Sequence, residues 1–287
     1  MKILRIAIIS LITLSISVTS YQQQQKNTFN SNNAIEDLRY QTSLGPRTPY
    51  SDAHDQIIAW ATTEFSSAGW ETESQEVVWA GHSIQNLIAK KGTGNPWIII
   101  GAHYDSRLSA DHDPDPNLRR SPVPGANDGA SGVAILVELS RALPDVLEKT
   151  IWLVLFDGED NGGIDGWDWI LGSQAFVANL TNQPDAAVII DMVGDNELNI
   201  YQERNSDVQL IEEIWTTAAE LGYAQFIPEY KYQILDDHVP FLLAGIPAVD
   251  IIDFDYPYWH TTQDTIDKVS EESLDAVGET LLAWLLR

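Results

Sequence analysis

Four short apolar runs, each leading into an acid or a histidine, restrict the fold of this chain more than any other feature. Residues 97–100 (Trp-Ile-Ile-Ile) lead to His103 and Asp105, 151–156 to Asp157, Glu159 and Asp160, 187–190 to Asp191, and 248–252 to Asp253. Runs this short, solidly apolar and rich in β-branched residues predict strands buried on both faces of a largely parallel sheet. Helical spacing separates them at 131–143, about 169–180 and 208–221, and closes the chain at 270–286. Ahead of the first run, Ile57, Ile58, Trp60, Ala61 and Phe65 repeat at helical spacing behind Ser51, which is placed to cap a helix over 52–68. Residues 73–79 and 83–89 alternate like an antiparallel pair at the sheet edge. Together these patterns predict an α/β fold, a three-layer sandwich with a mixed, mostly parallel central sheet. Ligands of such sheets bind at the carboxyl ends of the strands. His103, Asp160 and Asp191 are therefore expected along one rim.

Size and charge narrow the possibilities. The chain has 287 residues, 44% of them apolar, enough for one large core. Residues 34–287 read as a single catalytic domain. Lys2 and Arg5, an uncharged apolar stretch over 6–18, and Thr19-Ser20 have the layout of a secretory signal peptide over 1–20, so the protein is expected to be exported, periplasmic or extracellular. The Gln/Asn-rich segment 21–33 lacks an apolar period and reads as a disordered linker. No later segment could span a bilayer, which predicts no stable membrane association after signal cleavage. Cysteine is absent, so there is neither a lipid-attachment thiol nor a disulfide framework. A formal charge of −26 argues against nucleic acid or anionic lipid as partners. It reads most simply as a solvated acidic surface, although it would also attract divalent metals and cationic peptide N-termini. The polar, proline-rich segment 109–124, with Asp111, His112, Asp113 and Asp115, reads as an irregular surface loop and is assigned no metal.

Without thiolates, a zinc-like cation needs His nitrogens and Asp or Glu oxygens converging from several segments. The candidates are His103 and Asp105 past the first run, Asp128 in the glycine-lined loop 125–132, Glu159 and Asp160, Asp191, and His260 in Tyr-Trp-His-Thr. Each has a plainer alternative: Asp128 as a helix cap, Asp105 and Asp157 as loop-orienting groups, Glu159-Asp160 as surface charge, His260 as a hydrogen-bonded structural residue. Their shared position, at ends of apolar runs or in Gly-rich connections, favours a carboxylate-and-histidine metal site.

His-Tyr-Asp-Ser at 103–106, the 125–132 loop, Phe-Asp-Gly-Glu-Asp at 156–160, Asp-Asp-His-Val-Pro-Phe at 236–241 and Trp-His-Thr at 259–261 occur in an order that resembles the co-catalytic zinc exopeptidases. That family includes zinc aminopeptidases and glutaminyl-peptide cyclotransferases, and Leu-Gly-Pro-Arg at 44–47 resembles the start of the cyclotransferase domain. The resemblance implies that Asp128, Asp160 and His260 hold one zinc, and that His103 and Asp191, with Asp128 bridging, match the ligands of a second. It further implies that Asp105 fixes the His103 ring and that Glu159 is the general base. Trp259, Trp167 and Tyr256 would wall the substrate pocket, with Asp236 and Asp191 in a hydrogen-bond network beside it. Asp160 stands where the family often has Glu, and Asp250 where animal cyclotransferases have a histidine. Peptides or proteins with a free N-terminus are the implied partners. Two reactions remain: cyclisation of an N-terminal glutamine to pyroglutamate with one zinc, and two-zinc hydrolysis of the first peptide bond. A non-catalytic exported metal-binding domain is the remote alternative.

Overall fold

The structure, a computed structural model, describes residues 28–287. It is built around a six-stranded sheet in the order β1-β2-β4-β3-β5-β8, comprising β1 (Glu71–Trp79), β2 (His82–Lys91), β3 (Trp97–His103), β4 (Thr150–Phe156), β5 (Ala186–Asp191) and β8 (Ala248–Ile252). The four apolar runs form the parallel part, β4-β3-β5-β8, while β1 and β2 pair antiparallel at the edge. Two further strands, β6 (Ile200–Gln202) and β7 (Phe226–Tyr230), form a small parallel pair.

Strand alternation explains why these runs must be apolar at every position. Ile98, Ile100 and Ala102 face one core together with Leu153, Leu155, Val188, Ile190, Val249 and Ile251. Ile99 faces the other, with Val154, Phe156, Ala187, Ile189 and Ala248. The first core is covered by α1 (Ser31–Ser43), α2 (Asp52–Ser67), α3 (Ala130–Ala142), α5 (Val208–Leu221) and α7 (Glu271–Leu285). The second is covered by α4 (Leu171–Ala178) and α6 (Val239–Leu243), through Phe176 and Phe241. Helices on both sheet faces make three layers. At Gly101 an added Cβ would lie 2.3 Å from the Phe156 ring, so only glycine lets that ring cross β3.

Local signals place the helix starts. Ser51 caps α2 by accepting from the His54 amide, Asp207 caps α5 through Gln209 and Leu210, and Ser270 caps α7 through Ser273. The expected linker is corrected at its end. Helix α1 begins at Ser31, Phe29 is buried and would touch any side chain placed at Gly278, and Asn30 caps the helix by accepting from Asn33. Residues 28–33 therefore belong to the domain, and their asparagines serve as cap and tether, with Asn33 also donating to Glu138. The expected signal peptide and the rest of the linker lie outside the described residues. Among the described residues no helix is long and apolar enough to cross a membrane.

Candidate metal centre and active site

The parallel strands deliver their polar ends to one rim. His103 closes β3 and Asp191 closes β5, while the turn after β4 carries Glu159 and Asp160. His103 Nε2 lies 3.1 Å from Asp128 Oδ1 and 3.1 Å from Asp191 Oδ1. His260 Nε2 lies 2.7 Å from Asp160 Oδ1 and 3.8 Å from Asp128 Oδ2. Asp128 thus turns one oxygen toward each histidine, and two trios form around it: His103, Asp128 and Asp191, and Asp128, Asp160 and His260, all buried. Residues more than a hundred positions apart in the chain meet here.

Asp128 owes its place to a heavily braced loop. Fully buried Arg47 donates to the carbonyls of Tyr104, Pro124 and Gly125, and Asp264 accepts from the amides of Asn127 and Asp128. Asn127 ties this loop to the end of β5 by donating to Met192 O and accepting from Gly194 N. At Gly129 a Cβ would fall 2.6 Å from His103 O and 2.7 Å from its ring, so a side chain there would push the histidine away. Asp105 lies behind His103, 3.5 Å from Nδ1, and accepts from the amides of Glu159 and Asp160 and from the Asn161 side chain. One carboxylate thereby sets both the ring and the acidic turn.

The electrostatics fit a cation. Burial pushes the Asp160 carboxyl up to about 6, with Asp128 adding to the rise and His260 opposing it. Burial likewise raises Asp191 to about 7, against the pull of His103. Asp128 is held below the usual range: burial works against its charge, but its contacts with His103 and His260 prevail. For His103 burial favours the neutral ring, yet Asp191, Asp105 and Asp128 raise it well above the ordinary histidine value. Carboxylates crowded in this way must hold protons unless a cation replaces them. Asp128 Oδ2 and Asp160 Oδ2 are buried without a hydrogen-bond partner, and the donors are oxygen and imidazole nitrogen, a set that suits zinc.

Glu159 stands apart from both trios and lines the adjoining cavity, where burial and the neighbouring Asp160, Asp236 and Asp237 raise its carboxyl well above the ordinary value. Asp236, Trp259, Trp169, Gln233, Ile234, Leu235, Ile252 and Phe254 complete the wall. Two expected pocket residues are corrected. Trp167 packs instead with Ile84 and Leu171 and stacks on His82 at 3.9 Å. Tyr256 is buried beside Met192 and Ile252, and its hydroxyl donates to Asp264, bracing the Asp128 loop from behind. In place of Trp167, Trp169 joins Trp259 in the wall, and its ring lies parallel to His260 at 5.9 Å. Two tryptophans two residues apart in an irregular segment give no sequence signal for choosing between them, whereas Phe254, just past β8, sits where the rim argument points.

Arg107 was also missed. It donates to Asp160 O and, through two nitrogens, to Asp111, and it lies over Trp169 at 4.8 Å. The segment 109–124 is accordingly more than a solvated loop: His112 N donates to His260 O, and Asp113 is buried and accepts from the Thr262 amide and hydroxyl. A lone arginine after His-Tyr-Asp-Ser in so acidic a chain was the available signal.

The family model for Peptidase family M28 matches residues 86–285. The structure of Tannerella forsythia glutaminyl cyclase aligns with a TM-score of 0.83 at 34% identity, covering 90% of this chain and 98% of that one. A leucine aminopeptidase precursor from Bacteroides thetaiotaomicron aligns with a TM-score of 0.83 at 28% identity, covering 90% and 97%. In sequence, aminopeptidase YwaD of Bacillus subtilis is 29% identical over 69% of this chain and 43% of its own length.

Proposed function

The chain belongs to Peptidase family M28, and from that premise we propose that this enzyme acts on peptide N-termini, cyclising an N-terminal glutamine to pyroglutamate with release of ammonia. The higher identity to a glutaminyl cyclase, 34% against 28% for the leucine aminopeptidase precursor at the same TM-score, supports this choice of reaction. Asp128, Asp160 and His260 would hold the zinc, which when bound supplies Lewis-acid polarisation of the side-chain amide carbonyl.

The remaining chemistry belongs to side chains. Glu159, free of the metal trios and with its carboxyl raised above the ordinary value by burial, takes a proton from the α-amine as the amine nitrogen bonds to the side-chain amide carbon. Glu159 then returns that proton to the departing nitrogen, the old C–N bond breaks, and ammonia leaves. Asp236 and Asp191, which line the same cavity, orient the amine by hydrogen bonding. Trp169, Trp259 and Phe254 enclose the small side chain and exclude water, which would otherwise compete as nucleophile.

One observation favours a second reading. The trio of His103, Asp128 and Asp191 is complete, so two metals could be held, as two-zinc hydrolysis of the first peptide bond requires. Incubating the purified protein with Gln-initiated and Leu-initiated peptides and weighing the products separates the two. Loss of ammonia from the first supports cyclisation; release of free leucine from the second, with the first unchanged, overturns it. We also place the protein outside the cytoplasm, on the leader-like layout of residues 1–20. Sequencing the N-terminus of protein recovered from the periplasm or medium tests this.

A further inference from the structure

Behind the cavity wall lies a buried polar string that the proposed chemistry leaves unused. His238, Asp250 and Glu203 are 0%, 0% and 1% exposed. Glu203 is firmly seated: Oε2 accepts from the amides of Asn205 and Ser206 and the Ser206 hydroxyl, and Oε1 accepts from the Ile234 amide. His238 Nε2 faces Glu203 Oε2 at 3.3 Å, and Nδ1 faces Asp250 Oδ2 at 3.6 Å. Asp236, His238 and Asp250 offer ligand atoms within 4.8 Å of one another, and Asp236 reaches the cavity beside Glu159.

Asp236 Oδ2, both ring nitrogens of His238 and both carboxylate oxygens of Asp250 are buried without a hydrogen-bond partner. Leaving such groups unpaired is costly, and carboxylates are the ion-pairing partners within reach of the ring. We propose that His238, facing Glu203 with one ring nitrogen and Asp250 with the other, is a positioning residue that fixes Asp236 to receive the substrate's α-amine. The charges support this arrangement. Burial opposes the Glu203 charge, but His238 and the surrounding donors hold its carboxyl below the usual range. Asp250 is driven well above it by burial and by the neighbouring Asp236, Asp191 and Glu203. Glu203 also pins the amide of Ile234, so the same string steadies the cavity wall.

The inference rests on the cyclising reading only in naming the amine as what Asp236 meets. The test compares zinc-loaded full-length wild type with His238→Gln, Asp250→Asn and the double variant, measuring kcat, KM, zinc per chain and thermal midpoint. Each single variant is expected to lose about tenfold or more in kcat with KM within about twofold and zinc unchanged, an effect typical of lost supporting contacts. The double variant is expected to be no slower than the worse single, because the residues act as one string. If His238→Gln fails to fold, Asp250→Asn, which buries no new charge, still decides. A wild-type kcat in a folded, zinc-replete variant overturns the proposal, as does additivity of the two losses. Should wild type release leucine instead of ammonia, the cyclising reading fails, and the same comparison on the leucine peptide decides the role of His238.

Discussion

Neighbouring carboxylates at 159 and 160 both reach the cavity, but only Asp160 also meets a histidine. Asp160 meets His260 at 2.7 Å and belongs to a candidate metal trio, whereas Glu159 belongs to neither trio. Under the proposed mechanism Glu159→Gln keeps the shape and loses the base, so kcat should fall by at least about a hundredfold. Its zinc content should stay at the wild-type level, and retained turnover would remove Glu159 from that role. A second test concerns Asp253 at the end of β8, whose carboxyl burial raises to about 7, although it accepts from the amides of Asn199 and Asp255. In the unfolded chain this acid ionises near its ordinary value of 3.8. Between those values the unfolded state binds fewer protons, so the contribution to stability is present at low pH and is lost as pH rises toward and through 7. Unfolding free energies from urea titrations across that range should fall less steeply for Asp253→Asn than for wild type, by up to about 1.4 kcal/mol per pH unit. Equal slopes would refute the raised value.

At the level of elements, the apolar period was nearly sufficient. Helix α5 runs Val208–Leu221, as its spacing predicts, and the buried strands fall on the four runs. Periodicity reports burial directly, because a side chain's face follows from its position along the element. Helix α1 was only partly legible, since its start at Ser31 falls in a polar segment whose asparagines cap and tether it. Its docking is expected to depend on Phe29, which is 3% exposed. Phe29→Ala should cost about 3–5 kcal/mol in chemical denaturation, the usual cost of a buried ring. A change under about 1 kcal/mol, as for a surface site, would show that this segment is not anchored.

For the molecule as a whole, binding and folding should be linked through the rim. A metal that binds only the folded state adds stability by mass action, about 2.7 kcal/mol at a hundredfold excess over the dissociation constant. Removing zinc with a chelator should therefore abolish turnover and lower the thermal midpoint, and adding zinc back should restore both. An unchanged midpoint would mean that the two trios hold no ion. The sequence by itself determined the layered sheet, the rim at the strand ends, and the set of acids and histidines gathered there, because each follows from local periodicity and from motif order. Only the tertiary structure decided that Trp169 rather than Trp167 faces the cavity, that Tyr256 braces the Asp128 loop, and that segment 109–124 supports His260. Those outcomes depend on contacts between segments as far apart as Asp113 and Thr262, and a local pattern carries no information about which distant partner a loop residue will meet.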